Sequence, residues 1–141
     1  MPAPKIFLDT NILVYAHDST AGRKREIAKE ALLDLWNSET GVLSTQVLQE
    51  LFVSLTQKIP VPLDRKKARA ILEDLCAWEV VVNDEQAILA AIDLQTKYRL
   101  SFWDSLILEA AHRSGATMLY SEDLSNGQQV EGIKIVNPFE V

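Results

Sequence analysis

Apolar residues recur at helical spacing in several long segments of the chain and form short unbroken runs between those segments. In residues 22–39, Ile27, Ala31 and Leu35 lie four positions apart with charged residues between them, which predicts an amphipathic helix. The same criterion predicts helices over residues 45–58, 64–78, 84–98 and 102–113. Asp64 is expected to cap the start of its helix, and Gly115 to close the last one.

The short apolar runs are predicted to be strands. They cover residues 5–9, 41–44, 79–83, 117–120 and 132–136. Because these strands alternate with helices, the pattern predicts an α/β domain with a mostly parallel central sheet. Ligands of such sheets bind beyond the carboxyl ends of the strands. Asp9 and Asp123 follow predicted strands, so both carboxylates are expected on the binding edge of the sheet.

Length and cysteine content limit the kinds of protein this chain can be. A chain of 141 residues fits one domain, predicted to span residues 1–141. Cys76 is the single cysteine, which excludes an internal disulfide and a cysteine-based zinc cluster. The apolar run before Asp9 is too short for a signal peptide, and no run approaches membrane-spanning length. A soluble cytoplasmic protein is therefore expected.

The charge balance is acidic, with 14 basic and 20 acidic residues, a net charge of −6 and a pI near 4.9. A protein that binds nucleic acid through bulk charge would be basic. A nucleic-acid substrate would therefore have to be bound by local basic residues or through metal ions. The two best basic clusters, at residues 23–25 and 65–69, are expected to be solvated helix faces.

Two aspartates stand out from the other acidic residues because each lies next to apolar residues. Asp9 directly follows a predicted buried strand, and it is either a functional carboxylate or the N-cap of the next helix. Asp104 follows Ser101 in a pattern that resembles a capping box. On a helical wheel it nevertheless lies at the edge of the apolar arc, beside Ile107 and Leu108. A capping carboxylate is usually more exposed to water than that.

Two further carboxylates are weaker candidates when each is considered alone. Glu50 lies away from the apolar face of its predicted helix, as a solvated glutamate would. Asp123 is either functional or a turn residue, and the neighbouring Glu122 is an equal competitor for its role. Trp36, Trp78 and Trp103 fall at apolar positions and are expected to pack in the core rather than to stack on bases.

Four short motifs together resemble those of PIN-domain proteins, especially the VapC toxins of bacterial VapBC toxin–antitoxin pairs. Leu8-Asp9-Thr10-Asn11-Ile12-Leu13 is similar to the opening of that family. Gln49-Glu50-Leu51, Phe102-Trp103-Asp104-Ser105-Leu106 and Ser121-Glu122-Asp123-Leu124 resemble its second, third and fourth acidic motifs. Their order and rough spacing agree with the family over essentially the whole chain.

The resemblance implies a three-layer α/β/α sandwich and Mg²⁺- or Mn²⁺-dependent cleavage of RNA. It implies that Asp9 and Asp104 are the principal metal ligands, with Glu50 and Asp123 completing the acidic pocket, partly through water. Thr10, Asn11 and Ser121 would hold these carboxylates in place. It further implies a bacterial-type toxin that forms homodimers and is inhibited by a cognate VapB-like antitoxin. Crowded carboxylates repel one another, so a cation in the pocket is chemically reasonable.

The chain departs from the resemblance after the fourth motif. Many relatives have a further acidic residue there, whereas this chain has Ser125-Asn126-Gly127, which leaves open whether one or two metals bind. The alternatives are a metal- or RNA-binding module without catalysis, a nuclease acting on structured DNA, and a phosphatase of the haloacid-dehalogenase type. The phosphatase needs an aspartate two residues after the first one, where this chain has Asn11.

Overall fold

The computed structural model describes residues 3–140; Met1, Pro2 and Val141, the ends of the expected domain, lie outside the described residues. The strands are β1 (Ile6–Leu8), β2 (Gly41–Ser44), β3 (Glu79–Val81), β4 (Met118–Tyr120), β5 (Gln129–Val130) and β6 (Ile133–Val136). The helices are α1 (Thr10–His17), α2 (Arg23–Ser38), α3 (Thr45–Val53), α4 (Arg65–Leu75), α5 (Glu85–Tyr98) and α6 (Phe102–Arg113). A π-helical turn, Ser54–Lys58, continues α3.

The sheet has six strands in the order β3-β2-β1-β4-β6-β5. All neighbouring strands are parallel except β5 and β6, which are antiparallel. Helices cover the sheet to give a three-layer α/β/α sandwich, so the predicted fold class is confirmed. The strand order reverses between β1 and β4, because β2 and β3 extend the sheet on one side and β6 on the other. A ligand site is expected at this reversal.

Local sequence signals account for most element boundaries. The side chain of Asp64 accepts a hydrogen bond from the backbone N–H of Lys67, which confirms the predicted cap of α4. Gly115 follows α6 with φ +81°, a conformation that favours glycine at a helix end. Three predicted elements run two to five residues too long: α3 gives way to the π-helical turn, α4 ends at Leu75, and β3 ends at Val81. No helix within residues 3–140 is long and apolar enough to cross a membrane.

Strand β5 is absent from the sequence-based prediction. It pairs with β6 through a two-residue turn in which Glu131 and Gly132 both have positive φ, of 51° and 79°. Such turns usually carry Asn-Gly or Asp-Gly, so Glu-Gly gave a weaker signal. The predicted final strand began one residue early because Gly132 belongs to this turn.

The expected burial of the tryptophans is only partly correct. Trp78 packs against the core, and a Cβ added at Gly41 would lie 2.2 Å from its ring. Trp36 is 44% exposed and Trp103 is 61% exposed, so the expectation of core packing is wrong for both, most clearly for Trp103. The reason is that Trp103 lies in the first turn of α6, whereas the buried part of that helix is residues 105–111.

Candidate active site

A cleft of about 450 Å³ lies at the strand-order reversal and contains all four predicted carboxylates, Asp9, Glu50, Asp104 and Asp123. They come from different parts of the chain: the end of β1, helix α3, the first turn of α6, and the loop after β4. The backbone N–H of Asp9 donates to the carbonyl of Tyr120 across 2.9 Å, which holds the ends of β1 and β4 side by side. The predicted residues are therefore brought together by the fold.

Asp9 is both a helix cap and a wall of the cleft. Its Oδ1 accepts from the backbone N–H of Thr10 at 2.7 Å, and its Oδ2 accepts from Ser121 Oγ at 2.8 Å. Burial raises its pKa from 3.8 to about 7, against the opposing effect of these two hydrogen bonds. The charges of Asp123 and Asp104 make smaller contributions to this raised pKa. Asp9 therefore caps helix α1 and lines the cleft at the same time, so the two roles considered for it are compatible.

Asp104 occupies a less buried position in the same cleft. Ser101 caps α6, and its Oγ accepts from the backbone N–H of Asp104 at 3.1 Å. The pKa of Asp104 is raised, chiefly by burial and further by the charge of Asp123, although a hydrogen bond with Ser101 lowers it. Its position at the edge of the buried face of α6 agrees with the helical-wheel argument.

Glu50 is tied to the start of α1. Its Oε1 accepts from Thr10 Oγ1 at 2.8 Å, and Thr10 is itself buried. This contact crosses 40 positions of the chain and brings α3 against the segment that carries Asp9. Glu50 is partly buried rather than freely solvated. A glutamate held in this way is part of the cleft wall.

Asp123 and Glu122, which the sequence left as competitors, point to different neighbours. Asp123 lines the cleft, and its Oδ2 accepts from Asn11 Nδ2 at 3.0 Å. Glu122 accepts from Tyr15 Oη at 2.7 Å and forms an ion pair with Lys24. Burial acts to raise the pKa of Glu122, but the hydrogen bonds from Lys24 and Tyr15 outweigh it and the pKa is lowered. Glu122 is thus engaged elsewhere, while Asp123 faces the other carboxylates.

The donor set of the cleft suits a hard cation that keeps much of its water. Within residues 3–140, no three His, Cys, Asp or Glu side chains stand close enough to form a ready-made ligand set. Mg²⁺ is commonly bound through one or two carboxylates while it retains several waters, and such a site needs no full protein cage. Burial and, to a smaller extent, the charges of Asp123 and Asp104 raise the pKa of Asp9, and a nearby cation would offset both effects. The residues present therefore fit Mg²⁺ or Mn²⁺ better than zinc.

Gln46, Lys58 and Trp103 are among the cleft residues that were not identified as functional candidates from the sequence. Gln46 is 5% exposed although it lies on a helix start, and burial of an amide leaves no local sequence signal. Lys58 is placed by the π-helical turn, which the periodicity of residues 45–58 did not reveal. Trp103 is the residue that the sequence assigned to the core.

Comparison with known proteins gives a family and several structural neighbours. The family model described as "PIN domain" matches residues 6–125. A toxin–antitoxin complex from Klebsiella pneumoniae is similar with 22% identity and a TM-score of 0.69, covering 97% of this chain and 100% of that chain. No curated protein matches.

Two further structures are similar in fold. Mycobacterium tuberculosis VapC20, described as a Sarcin-Ricin loop cleaving toxin, has 19% identity and a TM-score of 0.65, with 84% of this chain and 90% of that chain covered. VapBC2 from Rickettsia felis, bound to a DNA fragment from its promoter, has 18% identity and a TM-score of 0.65. The match covers 92% of this chain and 96% of that chain. At these identities the likeness concerns the fold.

Proposed function

Because the chain belongs to the PIN-domain family, we propose that it is a Mg²⁺- or Mn²⁺-dependent endoribonuclease that hydrolyses RNA phosphodiester bonds. The observation that carries this proposal is the convergence of Asp9, Glu50, Asp104 and Asp123 on one cleft at the strand-order reversal. Surface acidic residues have no reason to converge in this way. The alternative is a non-catalytic metal- or RNA-binding module, which a cleavage assay distinguishes from an enzyme.

In this proposal Asp9 and Asp104 are the direct ligands of the cation, and Glu50 and Asp123 bind it partly through water. Burial raises the pKa of both aspartates, so a nearby positive charge would favour the ionised form of each. When bound, the cation supplies Lewis-acid chemistry at the phosphate and makes a water molecule more acidic.

The remaining polar residues act by holding the carboxylates. Ser121 donates to Asp9, Thr10 donates to Glu50, and Asn11 donates to Asp123. These three residues are those assigned a supporting role on the basis of the family motifs. Partners of this kind keep ligands oriented and typically change metal affinity or activity 10- to 100-fold when lost.

We further propose that the chain is the toxin of a toxin–antitoxin pair, as a single cytoplasmic domain that forms a homodimer. The toxin role is supported by neighbours described as a toxin–antitoxin complex, as VapC20 and as VapBC2. A cognate VapB-like antitoxin would inhibit the enzyme by covering the acidic cleft. Co-expression with candidate VapB-like proteins, followed by co-purification, tests this part of the proposal.

The nuclease proposal is tested by incubating a mixed RNA pool with purified protein in Mg²⁺, Mn²⁺ or EDTA. Asp9→Asn and Asp104→Asn are expected to lower cleavage more than about 100-fold, beyond the loss typical of outer partners. Asp93→Asn is the matched control, because Asp93 is exposed on α5 and does not line the cleft. Two results would refute the proposed nuclease activity of the cleft. One is full cleavage by a folded Asp9→Asn protein, and the other is no cleavage by wild type with any RNA class.

A further inference from the structure

The cleft has an apolar part besides its carboxylates. Val14, Val53, Ile107 and Trp103 line it together with the acidic residues. Trp103 is 61% exposed and immediately precedes Asp104 in the chain. A single exposed apolar side chain is ordinary on a protein surface. Trp103 differs from such residues because it lies inside the cleft and next to a proposed metal ligand.

The backbone of Trp103 is held in place while its ring stays open to solvent. Gln46 Nε2 donates to the Trp103 carbonyl at 3.2 Å, joining the starts of α3 and α6. The ring of Phe102 meets that of Trp103 edge-to-face, with centroids 5.2 Å apart and planes at 72°. The contact with Phe102 restricts the indole on one side and leaves a face exposed for stacking, which reduces the conformational entropy lost on binding.

Lys58 adds a positive charge to the same cleft. It is the one lysine or arginine among the described residues that line the cleft, and it is exposed at the end of the π-helical turn. Among residues 3–140 it forms no ion pair, although four carboxylates line the cleft with it. Turns of this kind occur frequently at functional sites. A free ammonium group in a cleft is suited to contact a phosphate.

Gln46 supplies a second polar group to the cleft. Its Nε2 must face the Trp103 carbonyl, which fixes the orientation of the amide and leaves Oε1 as an acceptor. This Oε1 is buried and has no hydrogen-bond partner within residues 3–140. Because Oε1 is closed to solvent, Gln46 contributes to the cleft by holding the Trp103 backbone and not by contacting a bound molecule.

From these contacts we infer that Trp103 and Lys58 form a subsite for one unpaired nucleotide next to the scissile phosphate. The inference rests on the proposed nuclease function. The base stacks on the Trp103 indole, and Lys58 contacts a phosphate. Every base has a stacking face, whereas a base inside a duplex has already used it. The enzyme should therefore select unpaired segments of RNA over duplex.

Binding of a labelled single-stranded RNA tests the stacking step without requiring cleavage. In the Asp9→Asn background with Mg²⁺, Trp103→Ala is expected to weaken binding about tenfold, while Trp103→Phe keeps most of the affinity. Trp36→Ala is the matched control, because Trp36 is also exposed but lies outside the cleft. An unchanged affinity in Trp103→Ala, an equal loss in Trp36→Ala, or equal wild-type affinity for a duplex of the same sequence would overturn the inference.

The salt dependence of the same binding tests the role of Lys58. Lys58→Met is expected to reduce the slope of log affinity against log salt by about 0.7, the value for one phosphate contact on a single strand. Lys66→Met, at an exposed position of α4 that does not line the cleft, is the control. An unaltered slope in Lys58→Met removes the phosphate contact from the subsite.

The outcomes for the subsite and for the nuclease are separable. Metal-dependent cleavage with no Trp103 effect on binding would leave the nuclease standing and remove the subsite. Trp103-dependent binding of single-stranded RNA without cleavage would support the subsite, and the chain would then be an RNA-binding module.

Discussion

Ser121 Oγ donates a hydrogen bond to Asp9 Oδ2 across 2.8 Å, joining two residues that are 112 positions apart in the chain. The same hydroxyl oxygen accepts from the backbone N–H of Asp123 at 3.2 Å. One buried serine therefore fixes the carboxylate after β1 and the start of the loop after β4. This relationship couples the ionisation of Asp9 to the position of Asp123.

Ser121→Ala is expected to raise the pKa of Asp9 above about 7, because it removes the larger of the two hydrogen bonds that lower it. If Asp9 must be ionised for cleavage, the pH–rate profile moves to higher pH and activity at neutral pH falls. The loss of a buried partner should also cost about 1–3 kcal/mol of unfolding free energy. Ser125→Ala, in the exposed part of the same loop, is the control. An unshifted profile in Ser121→Ala would contradict the coupling.

The stability of the metal-free protein should fall as the pH rises from about 4 to 7. Asp9 has a folded pKa of about 7 against 3.8 when unperturbed, so the folded state binds more protons than the unfolded state in that range. The stability that Asp9 contributes below pH 4 is consequently lost between about pH 4 and 7, where its carboxyl is ionised in the unfolded state and still protonated in the folded state. Urea unfolding in EDTA at several pH values measures the slope of the unfolding free energy against pH.

Asp9→Asn should abolish most of that slope and make the metal-free protein more stable than wild type at pH 8, by roughly 1–4 kcal/mol. Addition of Mg²⁺ should stabilise wild type more than Asp9→Asn, since the cation favours the ionised carboxylate. Equal pH slopes for the two proteins in EDTA would show that the buried carboxylate is not the titrating group.

Asp123→Asn and Glu122→Gln separate the two neighbouring acids. Asp123 lines the cleft, so Asp123→Asn is expected to weaken Mn²⁺ binding about 10- to 100-fold. Glu122 pairs with Lys24 and Tyr15, so Glu122→Gln should leave Mn²⁺ affinity close to wild type. Titration calorimetry with Mn²⁺ compares the two, and a larger loss in Glu122→Gln would reverse the assignment.

Gly41→Ala is expected to destabilise the protein by about 1–3 kcal/mol without changing the cleft. The added methyl group would lie 2.2 Å from the Trp78 ring, so the ring must shift. Combining Gly41→Ala with Trp78→Leu should cost less than the sum of the single changes, because the smaller side chain makes room. Chemical denaturation of the four proteins measures this, and strict additivity would argue against the contact.

Amino-acid sequence by itself determined the order and type of most elements and the identity of the cleft carboxylates. Helix α6 and strand β2 have their predicted bounds, because periodicity and capping act over a few residues. Asp9, Glu50, Asp104 and Asp123 were found through short motifs placed on those elements. Their catalytic roles remain predictions, while their meeting in one cleft is a property of the fold.

Tertiary structure alone decided which side chains face that cleft and how their charges behave. Burial gives Asp9 its raised pKa, and contacts with Lys24 and Tyr15 draw Glu122 away from Asp123. Trp103 is an apolar residue at an exposed position, and local periodicity could not reveal that exposure. The reason is physical: burial and electrostatic interactions depend on residues that meet across more than 100 positions of chain, as Asn11 and Asp123 do.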